Sequence, residues 1–382
     1  MDADRFDKLI RGKSINFLIG SGASAEIYPT LSLGENCPSF EEIVTSPTLS
    51  EKGKSLMYMF YFANWIVPMT LNGKEFSQRY KNTPYYCHYR DFIGALYSFL
   101  QNESNELPKR INIFTTNYDL LFEQAMDEFL LKNPLIYFND GSRGVFRKHV
   151  NNANFYLNVS HSGYNDNYRR EVPTINLFKM HGSLSWIVQD EVILVNEINP
   201  IINSIQGLMK QIFPDVPKFI MRIKQIQSKA ASEFAQALNE SVEVLGVNKA
   251  LLSQFMKLYA DLPIINPDKY KFNKTVSEQS YYQMIRSFSY ELEKKQAVLI
   301  VFGFSFSDEH IKDIFERSLL NPELHVFILC YSEKEKTRIQ NLFSGYRNIT
   351  FLPSSYEDEN HEVVKGDFSY LLSLFGQKSN EV

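Results

Sequence analysis

Six short, continuous apolar runs recur along this chain of 382 residues, and longer helical patterns separate several of them. The runs are rich in β-branched and aromatic residues, and a continuous run, unlike an alternating one, indicates a strand covered on both faces. They occupy residues 14–19, 111–114, 174–178, 297–302, 325–329 and 349–352. Helical patterns occupy residues 118–131, 308–319 and 332–342. This alternation predicts an α/β fold with a doubly wound parallel sheet and right-handed crossovers.

Two stretches interrupt the alternation, at approximately residues 40–105 and 199–262. Both have helical patterns and no clear strand, so we predict helical insertions within a single domain that spans residues 1–382. Within the second stretch, residues 216–245 carry apolar side chains one, three or four positions apart, which indicates one amphipathic helix or a pair. Residues 151–170 are polar and are predicted to form a loop or hairpin.

Composition excludes several classes of protein. With 44% hydrophobic residues the chain is not disordered, and 40 basic against 44 acidic residues give a net charge of −4, which excludes a general nucleic-acid coat. A local basic patch remains open. Cys37, Cys87 and Cys330 are far apart and form no CxxC pair, so we expect neither a disulfide framework nor a zinc ribbon, and no metal. No secretory signal or membrane span is evident, and a reducing cytoplasm is expected.

The first apolar run leads directly into a glycine loop that fits G-x-G-x-x-A. Such a loop lets the backbone approach a pyrophosphate closely, and the N-terminus of a following helix would favour the negative charge. An ordinary tight strand-to-helix turn gives the same pattern. The acidic ribose partner expected about 20 residues later is not convincing, because Glu41 and Glu42 lie inside a helical pattern. The loop residues are Gly20, Ser21, Gly22, Ala23, Ser24 and Ala25.

The next two strands also end in polar residues, at the edge of a parallel sheet where ligands bind. After the run at 111–114 come Thr116, Asn117 and Asp119. The Asn117 amide is suited to holding a water or a ribose hydroxyl, although Thr, Asn and Asp here also suit helix capping. His181 follows the run at 174–178 and precedes a glycine. It is a candidate general base, or else a simple turn histidine.

The run at 297–302 ends in Gly303, Phe304, Ser305, Phe306, Ser307 and Asp308. This turn is a candidate site for a second phosphate or an adenosine ribose. Alternatively, Asp308 only caps the following helix, which is worth about 1 kcal/mol. Four strand ends of this kind together indicate one composite site for a large polar ligand.

Together these motifs resemble the sirtuin superfamily. Gly20–Ser24 is similar to the family's GAGxS, Thr116–Asp119 to its TQNxD, His181–Gly182 to its HG turn, and Gly303–Ser305 to its GTS segment. The resemblance implies a Rossmann-like domain that binds NAD and breaks its nicotinamide–ribose bond. It implies catalytic roles for Asn117 and His181. It implies NAD-binding roles for Gly20, Ser21, Gly22, Ala23, Ser24, Thr116, Asp119, Asn266, Gly303 and Ser305.

The departures from the family narrow the resemblance. The two CxxC pairs of its protein deacylases are absent, and Pro38–Glu42 stands where the family usually has DFR. The segments TTNYD, KMHGSLSW, LPIINP and GFSFSDEH resemble divergent sirtuin-like domains of bacterial antiphage systems, which hydrolyse NAD and drain it from the infected cell. By its length the chain resembles the subunit that assembles with a HerA-type hexameric ATPase. A homo-oligomer is then expected, with nucleic acid contacted only through the partner.

Three other functions remain open at this stage. A module that senses NAD or ADP-ribose would not need both Asn117 and His181. A deacylase or ADP-ribosyltransferase is disfavoured by the missing CxxC pairs and by the lack of an evident peptide cleft. A nuclease subunit of an ATPase complex would need a metal constellation, and no convincing DxD, ExK or HNH-like pattern is present.

Overall fold

The computed structural model describes most of the chain in full atomic detail. The described residues are 1–28, 33–34, 37–70, 83–104, 108–245, 248–266, 275–357 and 363–377. The strands, in chain order, are β1 Ser14–Ile19, β2 Arg110–Thr115, β3 Tyr137–Asn139, β4 Ser142–Arg143, β5 Lys148–Val150, β6 Ser160–His161, β7 Arg170–Glu171, β8 Thr174–Lys179, β9 Trp186–Gln189, β10 Val192–Val195, β11 Ala297–Phe302, β12 His325–Leu329 and β13 Ile349–Leu352.

The helices alternate with these strands over much of the chain. In chain order they are α1 Ala3–Ile10, α2 Phe40–Val44, α3 Glu51–Tyr61, α4 Pro84–Asn102, α5 Leu121–Leu130, α6 Ile201–Ile212, α7 Val216–Lys224, α8 Ala231–Leu245, α9 Lys249–Tyr259, α10 Thr275–Leu292, α11 Glu309–Ser318, α12 Glu333–Leu342 and α13 Phe368–Leu374. Among the described residues, no helix combines the length and the apolar character that a membrane span requires.

Internal contacts divide the chain into two compact units. The sheet unit comprises Met1–Ile27, Phe76–His181 and Gln279–Val382, and the helical unit comprises Tyr28–Glu75 and Gly182–Glu278. The prediction of a single domain over residues 1–382 stays a prediction.

The sheet unit is built on seven strands in the order β13-β12-β11-β1-β2-β8-β3. Every neighbouring pair runs parallel. This confirms the predicted α/β, Rossmann-like fold with helices flanking a parallel sheet. From β1 the chain builds outward through β2 and β8, and it then returns to the other side of β1 with β11. The order therefore reverses between β1 and β11, and such a switch point is where open parallel sheets bind ligands.

A ladder of buried asparagines crosses four strands of this sheet. Asn112 donates to Asn16 Oδ1 at 2.9 Å, Asn176 donates to Asn112 Oδ1 at 2.8 Å, and Asn139 donates to Asn176 Oδ1 at 2.9 Å. The four residues are in register across β1, β2, β8 and β3. Because a slipped strand would leave buried amides without partners, the ladder specifies the strand register.

The helical unit contains most of the two predicted insertions. In the first stretch, α2, α3 and a π-helical turn at Phe62–Ile66 are helical, whereas α4 belongs to the sheet unit and contacts α5 and α13. Residues 216–245 form a pair of helices, α7 and α8, as one of the two alternatives predicted. In the stretch predicted as a loop or hairpin, a 3₁₀ helix at Asn152–Tyr156 precedes a short hairpin in which β6 pairs with β7.

Aromatic side chains form the core of the helical unit. Phe40 packs against Tyr61 with ring centroids 5.0 Å apart, and Tyr61 packs against Trp65 at 5.3 Å. Tyr58 contacts Tyr259 at 5.2 Å, which joins α3 to α9. All five rings are buried, so these aromatic residues belong to the core of the helical unit.

Candidate functional site

The glycine loop after β1 and the turn after β11 meet at the switch point of the sheet. The Gly20 amide donates to the Phe302 carbonyl at 3.1 Å, and the Gly22 amide donates to the Gly303 carbonyl at 2.9 Å. The structure thus brings together two of the four predicted strand ends through their backbones.

Close approach of the two backbones explains these glycines. A Cβ on Gly20 would lie 2.5 Å from the Gly303 carbonyl oxygen, and one on Gly22 would lie 2.7 Å from the Gly303 Cα. Gly303 itself has φ +62°, and its Cβ would lie 2.3 Å from the Ala23 nitrogen. The contact between the two loops therefore requires glycine at these positions, independently of any ligand.

A 3₁₀ turn, and not the start of the predicted helix, follows Gly20 in the glycine loop. Residues Ser21–Ser24 form a single 3₁₀ turn, closed by a hydrogen bond from the Ala23 amide to the Gly20 carbonyl at 3.1 Å. One such turn lacks the aligned peptides of a long α-helix, so the helix dipole predicted to attract phosphate is not supplied here. Ser21 and Gly22 are exposed at this turn, whereas Gly20, Ala23 and Ser24 are buried.

Asn117 ties the second strand end to this loop. Its side chain is 8% exposed, and Nδ2 donates to the Gly20 carbonyl at 3.1 Å and to Ser24 Oγ at 3.4 Å. Its backbone amide donates to Thr115 Oγ1 at 3.0 Å. With both amide hydrogens directed at the loop, the amide oxygen is the atom that can accept from a ligand. Thr116, half-buried, donates its amide to the Ile19 carbonyl at 3.2 Å.

Asp119 lies one residue before Leu120, the N-cap of α5, and bonds the first amide of that helix through one carboxylate oxygen. Its Oδ1 accepts from the Leu121 amide at 3.1 Å at the start of α5. The residue is 2% exposed, and Oδ2 has no hydrogen-bond partner among the described residues. Burial raises the pKa of this carboxyl, and the ammonium of Lys179 opposes that rise.

Lys179 is a residue that the sequence reasoning missed. It ends β8 and is 3% exposed, and Nζ contacts the Asp119 carbonyl, lies 3.4 Å from the Asn117 carbonyl and lies 3.2 Å from Glu123 Oε1. Burial likewise raises the pKa of Glu123. The available signal was a lysine closing an otherwise apolar run two positions before His181.

His181 and Asp308 form a pair that sequence reasoning treated as two separate features. His181 Nε2 lies 3.1 Å from Asp308 Oδ2, and both side chains are largely buried. Asp308 Oδ1 also accepts from the Ile311 amide at 3.1 Å, so the same carboxylate caps α11. Because a carboxylate only accepts, a neutral His181 paired in this way carries its hydrogen on Nε2 and leaves Nδ1 as the basic nitrogen.

The remaining predicted residues have simpler settings. Ser305 is exposed, its hydroxyl lies 2.9 Å from that of Ser307, and its carbonyl accepts from Arg338 at 2.8 Å. Asn266 lies in the helical unit, where its Oδ1 accepts from the Tyr259 hydroxyl at 2.7 Å. Its predicted place at the NAD site stays a prediction.

In the described part of the chain, no group of three or more His, Cys, Asp or Glu side chains is arranged to hold a metal ion. Cys37, Cys87 and Cys330 are free thiols.

Residues 111–198 match a protein-family model described as a SIR2-like domain. The matched segment contains Asn117, Asp119, Lys179 and His181, and hydrogen bonds from Asn117 link it to the glycine loop outside it. This similarity supports a sirtuin-like relationship and fits an NAD-related function in general. A comparison with curated proteins gave no match.

Proposed function

We propose that this chain is an NAD hydrolase that cleaves the nicotinamide–ribose bond to give nicotinamide and ADP-ribose. The observation that carries the proposal is the Asn117 side chain, hydrogen-bonded to the glycine loop at the switch point of a parallel sheet. This arrangement places an amide able to bind a ribose hydroxyl or a water beside a backbone able to approach a pyrophosphate.

NAD would lie across the carboxyl ends of the strands. The backbone of Gly20–Ser24 would hold the pyrophosphate, and the exposed Ser21 would offer a hydroxyl to it. Gly303 and the hydroxyls of Ser305 and Ser307 would meet the adenosine side. The amide oxygen of Asn117 would orient the nicotinamide ribose and the attacking water.

Cleavage would break the bond between C1′ of the ribose and the pyridinium nitrogen. The bonding electrons pass to that nitrogen, which loses its positive charge, and an oxocarbenium-like ribose forms. The water oxygen bonds to C1′, and its proton passes to Nδ1 of His181 and from there to solvent. Asp308 holds the ring and stabilises the imidazolium that forms, as a carboxylate does in other base dyads.

The biological setting proposed for this activity rests on the sequence resemblance. Drainage of NAD from an infected bacterial cell, in the cytoplasm, is the role of the antiphage domains that the motifs resemble. A HerA-type ATPase is the proposed partner on the basis of the same resemblance. A homo-oligomer is the corresponding expected assembly.

Product stoichiometry tests the proposed reaction. The purified full chain is incubated with NAD, alone and with the proposed ATPase partner, and nicotinamide and ADP-ribose are separated by chromatography. Equal amounts of the two products support hydrolysis. NAD that binds but stays intact in both preparations contradicts it and favours a sensing module. Nicotinamide released without free ADP-ribose indicates transfer to another acceptor.

A further inference from the structure

One buried lysine links the strand that leads to His181 with the turn that carries Asn117. Lys179 closes β8, and its ammonium donates to the backbone carbonyls of Asp119 and Asn117. Its ion pair with Glu123 at 3.2 Å joins the same ammonium to α5. Three parts of the chain, β8, the turn at residues 117–119 and α5, therefore converge on one cation.

The backbone of Asn117 is held at both of its ends. The amide nitrogen donates to Thr115 Oγ1 at 3.0 Å, and the carbonyl oxygen accepts from Lys179 at 3.4 Å. With the backbone fixed, the side chain reaches the Gly20 carbonyl. Without Lys179, nothing from β8 would hold the carbonyl side of this turn.

Fold stability alone is a weak reason for such an arrangement. Removing a lysine and its partners from water costs several kcal/mol, and apolar residues of similar volume often replace buried ion pairs at no loss of stability. Positioning of a reacting group explains a buried lysine better, because a misplacement of about 1 Å in an active site can lower the rate about 10²-fold.

We propose that Lys179 is a positioning residue, which sets the place of Asn117 relative to His181 by holding the carbonyls of Asn117 and Asp119. This inference rests on the proposed NAD hydrolysis. Lys179 touches no reacting atom in this scheme and acts through the turn at residues 117–119.

The chain offers a matched control for this lysine. Lys109 is also buried, at 2% exposure, and its ammonium also donates to a backbone carbonyl, that of Gln101 at 3.4 Å. It directly precedes β2 and therefore lies at the amino end of the sheet, away from the proposed site. Replacing either lysine removes an ammonium that donates to a backbone carbonyl, but of the two only Lys179 contacts the Asn117 turn.

The test compares Lys179→Met with Lys109→Met in the full chain. Lys179→Met is expected to lower kcat by about 10²-fold while KM changes by less than about threefold, because NAD still binds to a misplaced Asn117. Lys109→Met is expected to lower the melting temperature and to leave kcat within about twofold of wild type. If Lys179→Met does not fold, Lys179→Gln keeps one donor and is expected to lower kcat by an intermediate amount.

Amide hydrogen exchange gives a second readout that needs no turnover. Exchange at residues 116–121 is expected to accelerate in Lys179→Met and not in Lys109→Met. Two results would overturn the inference and leave the proposed function standing, provided that the wild-type protein hydrolyses NAD. One is a kcat of Lys179→Met within threefold of the wild-type kcat, and the other is unchanged hydrogen exchange at residues 116–121 in Lys179→Met. No wild-type hydrolysis, with or without the partner, overturns both.

Discussion

At the scale of single residues, the pair formed by His181 and Asp308 is open to a selective test. Asp308→Asn keeps a good helix N-cap for α11 but replaces the carboxylate that accepts from Nε2. We expect the melting temperature to change little and kcat to fall by about 10²- to 10⁴-fold, since the ring loses its preferred tautomer. Steady-state kinetics beside a melting curve measure both. Full activity in Asp308→Asn would show that the pair is structural.

The buried carboxyl of Asp119 is expected to lower the stability of the folded chain at neutral pH. Burial raises the pKa of its carboxyl above the value in the unfolded chain. A raised pKa means that the group favours folding below the unfolded pKa, and that this contribution is lost as the pH rises through the folded pKa. Asp119→Asn, which keeps the oxygen that caps Leu121, should therefore melt higher than wild type at neutral pH.

Calorimetry at two pH values checks this sign. The difference in melting temperature should be about 2 °C or more at about pH 7.5. It should shrink as the pH falls toward about 4, because the carboxyl is then protonated in the folded chain and increasingly in the unfolded chain. A lower melting temperature for Asp119→Asn at neutral pH would mean that its charge is well compensated by Lys179.

At the scale of structural elements, the asparagine ladder holds four strands in register. Asn112→Ala removes the middle of the ladder and leaves Asn16 Oδ1 buried without its donor. We expect the free energy of unfolding to fall by about 2–4 kcal/mol. Asn133→Ala, which removes a half-buried amide donating to the Phe129 carbonyl, serves as the control and should cost less than about 1 kcal/mol. Equal costs in denaturant titrations would show that the ladder adds nothing beyond single hydrogen bonds.

The contact between the two loops at the switch point depends on Gly303. Gly303→Ala combines a positive φ with a Cβ 2.3 Å from the Ala23 nitrogen, so we expect a loss of about 2 kcal/mol or more of unfolding free energy. Gly345 also has a positive φ, but among the described residues no heavy atom outside its chain neighbours lies within 4 Å of its Cβ position. Gly345→Ala should cost only about 1 kcal/mol. Similar melting curves for the two variants would contradict the crowding seen at Gly303.

Six of the seven strands of the parallel sheet were predictable because each forms a short apolar run. Five of them are buried on both faces, and the edge strand β13 is half-buried. Their predicted ends agree with the structure to within one residue, β2 and β8 being slightly longer than expected. The edge strand β3, with three residues, and the hairpin of β9 and β10 were missed. Such short or half-exposed strands leave no comparable run in the sequence.

The site was predictable at its strand ends and not in its pairings. Asn117 and the glycine loop were identified from local patterns, and the hydrogen bond between them follows from neighbouring parallel strands. The pairing of His181 with Asp308 and that of Lys179 with the 117–119 turn join segments distant in sequence. No local pattern encodes which side chains meet, because the order of strands decides it.

At the scale of the whole molecule, the residues proposed to cleave NAD, Asn117, His181 and Asp308, all belong to the sheet unit. The helical unit has its own aromatic core and its own contacts, and Asn266 is the residue there predicted to contribute to the site. Replacing Asn266 with Ala and following the KM for NAD would decide whether it contributes. A KM unchanged from wild type would contradict the predicted role of Asn266.

The rate of nicotinamide release by Asn117→Ala, beside wild type and Asn154→Ala, tests the central claim most directly. Asn154 is a matched control, because its amide also donates to a glycine carbonyl, that of Gly141 at 2.9 Å, but at a turn outside the proposed site. The account predicts that release vanishes in Asn117→Ala, that it persists in Asn154→Ala, and that all three proteins stay folded. Near wild-type release by a folded Asn117→Ala would contradict the account.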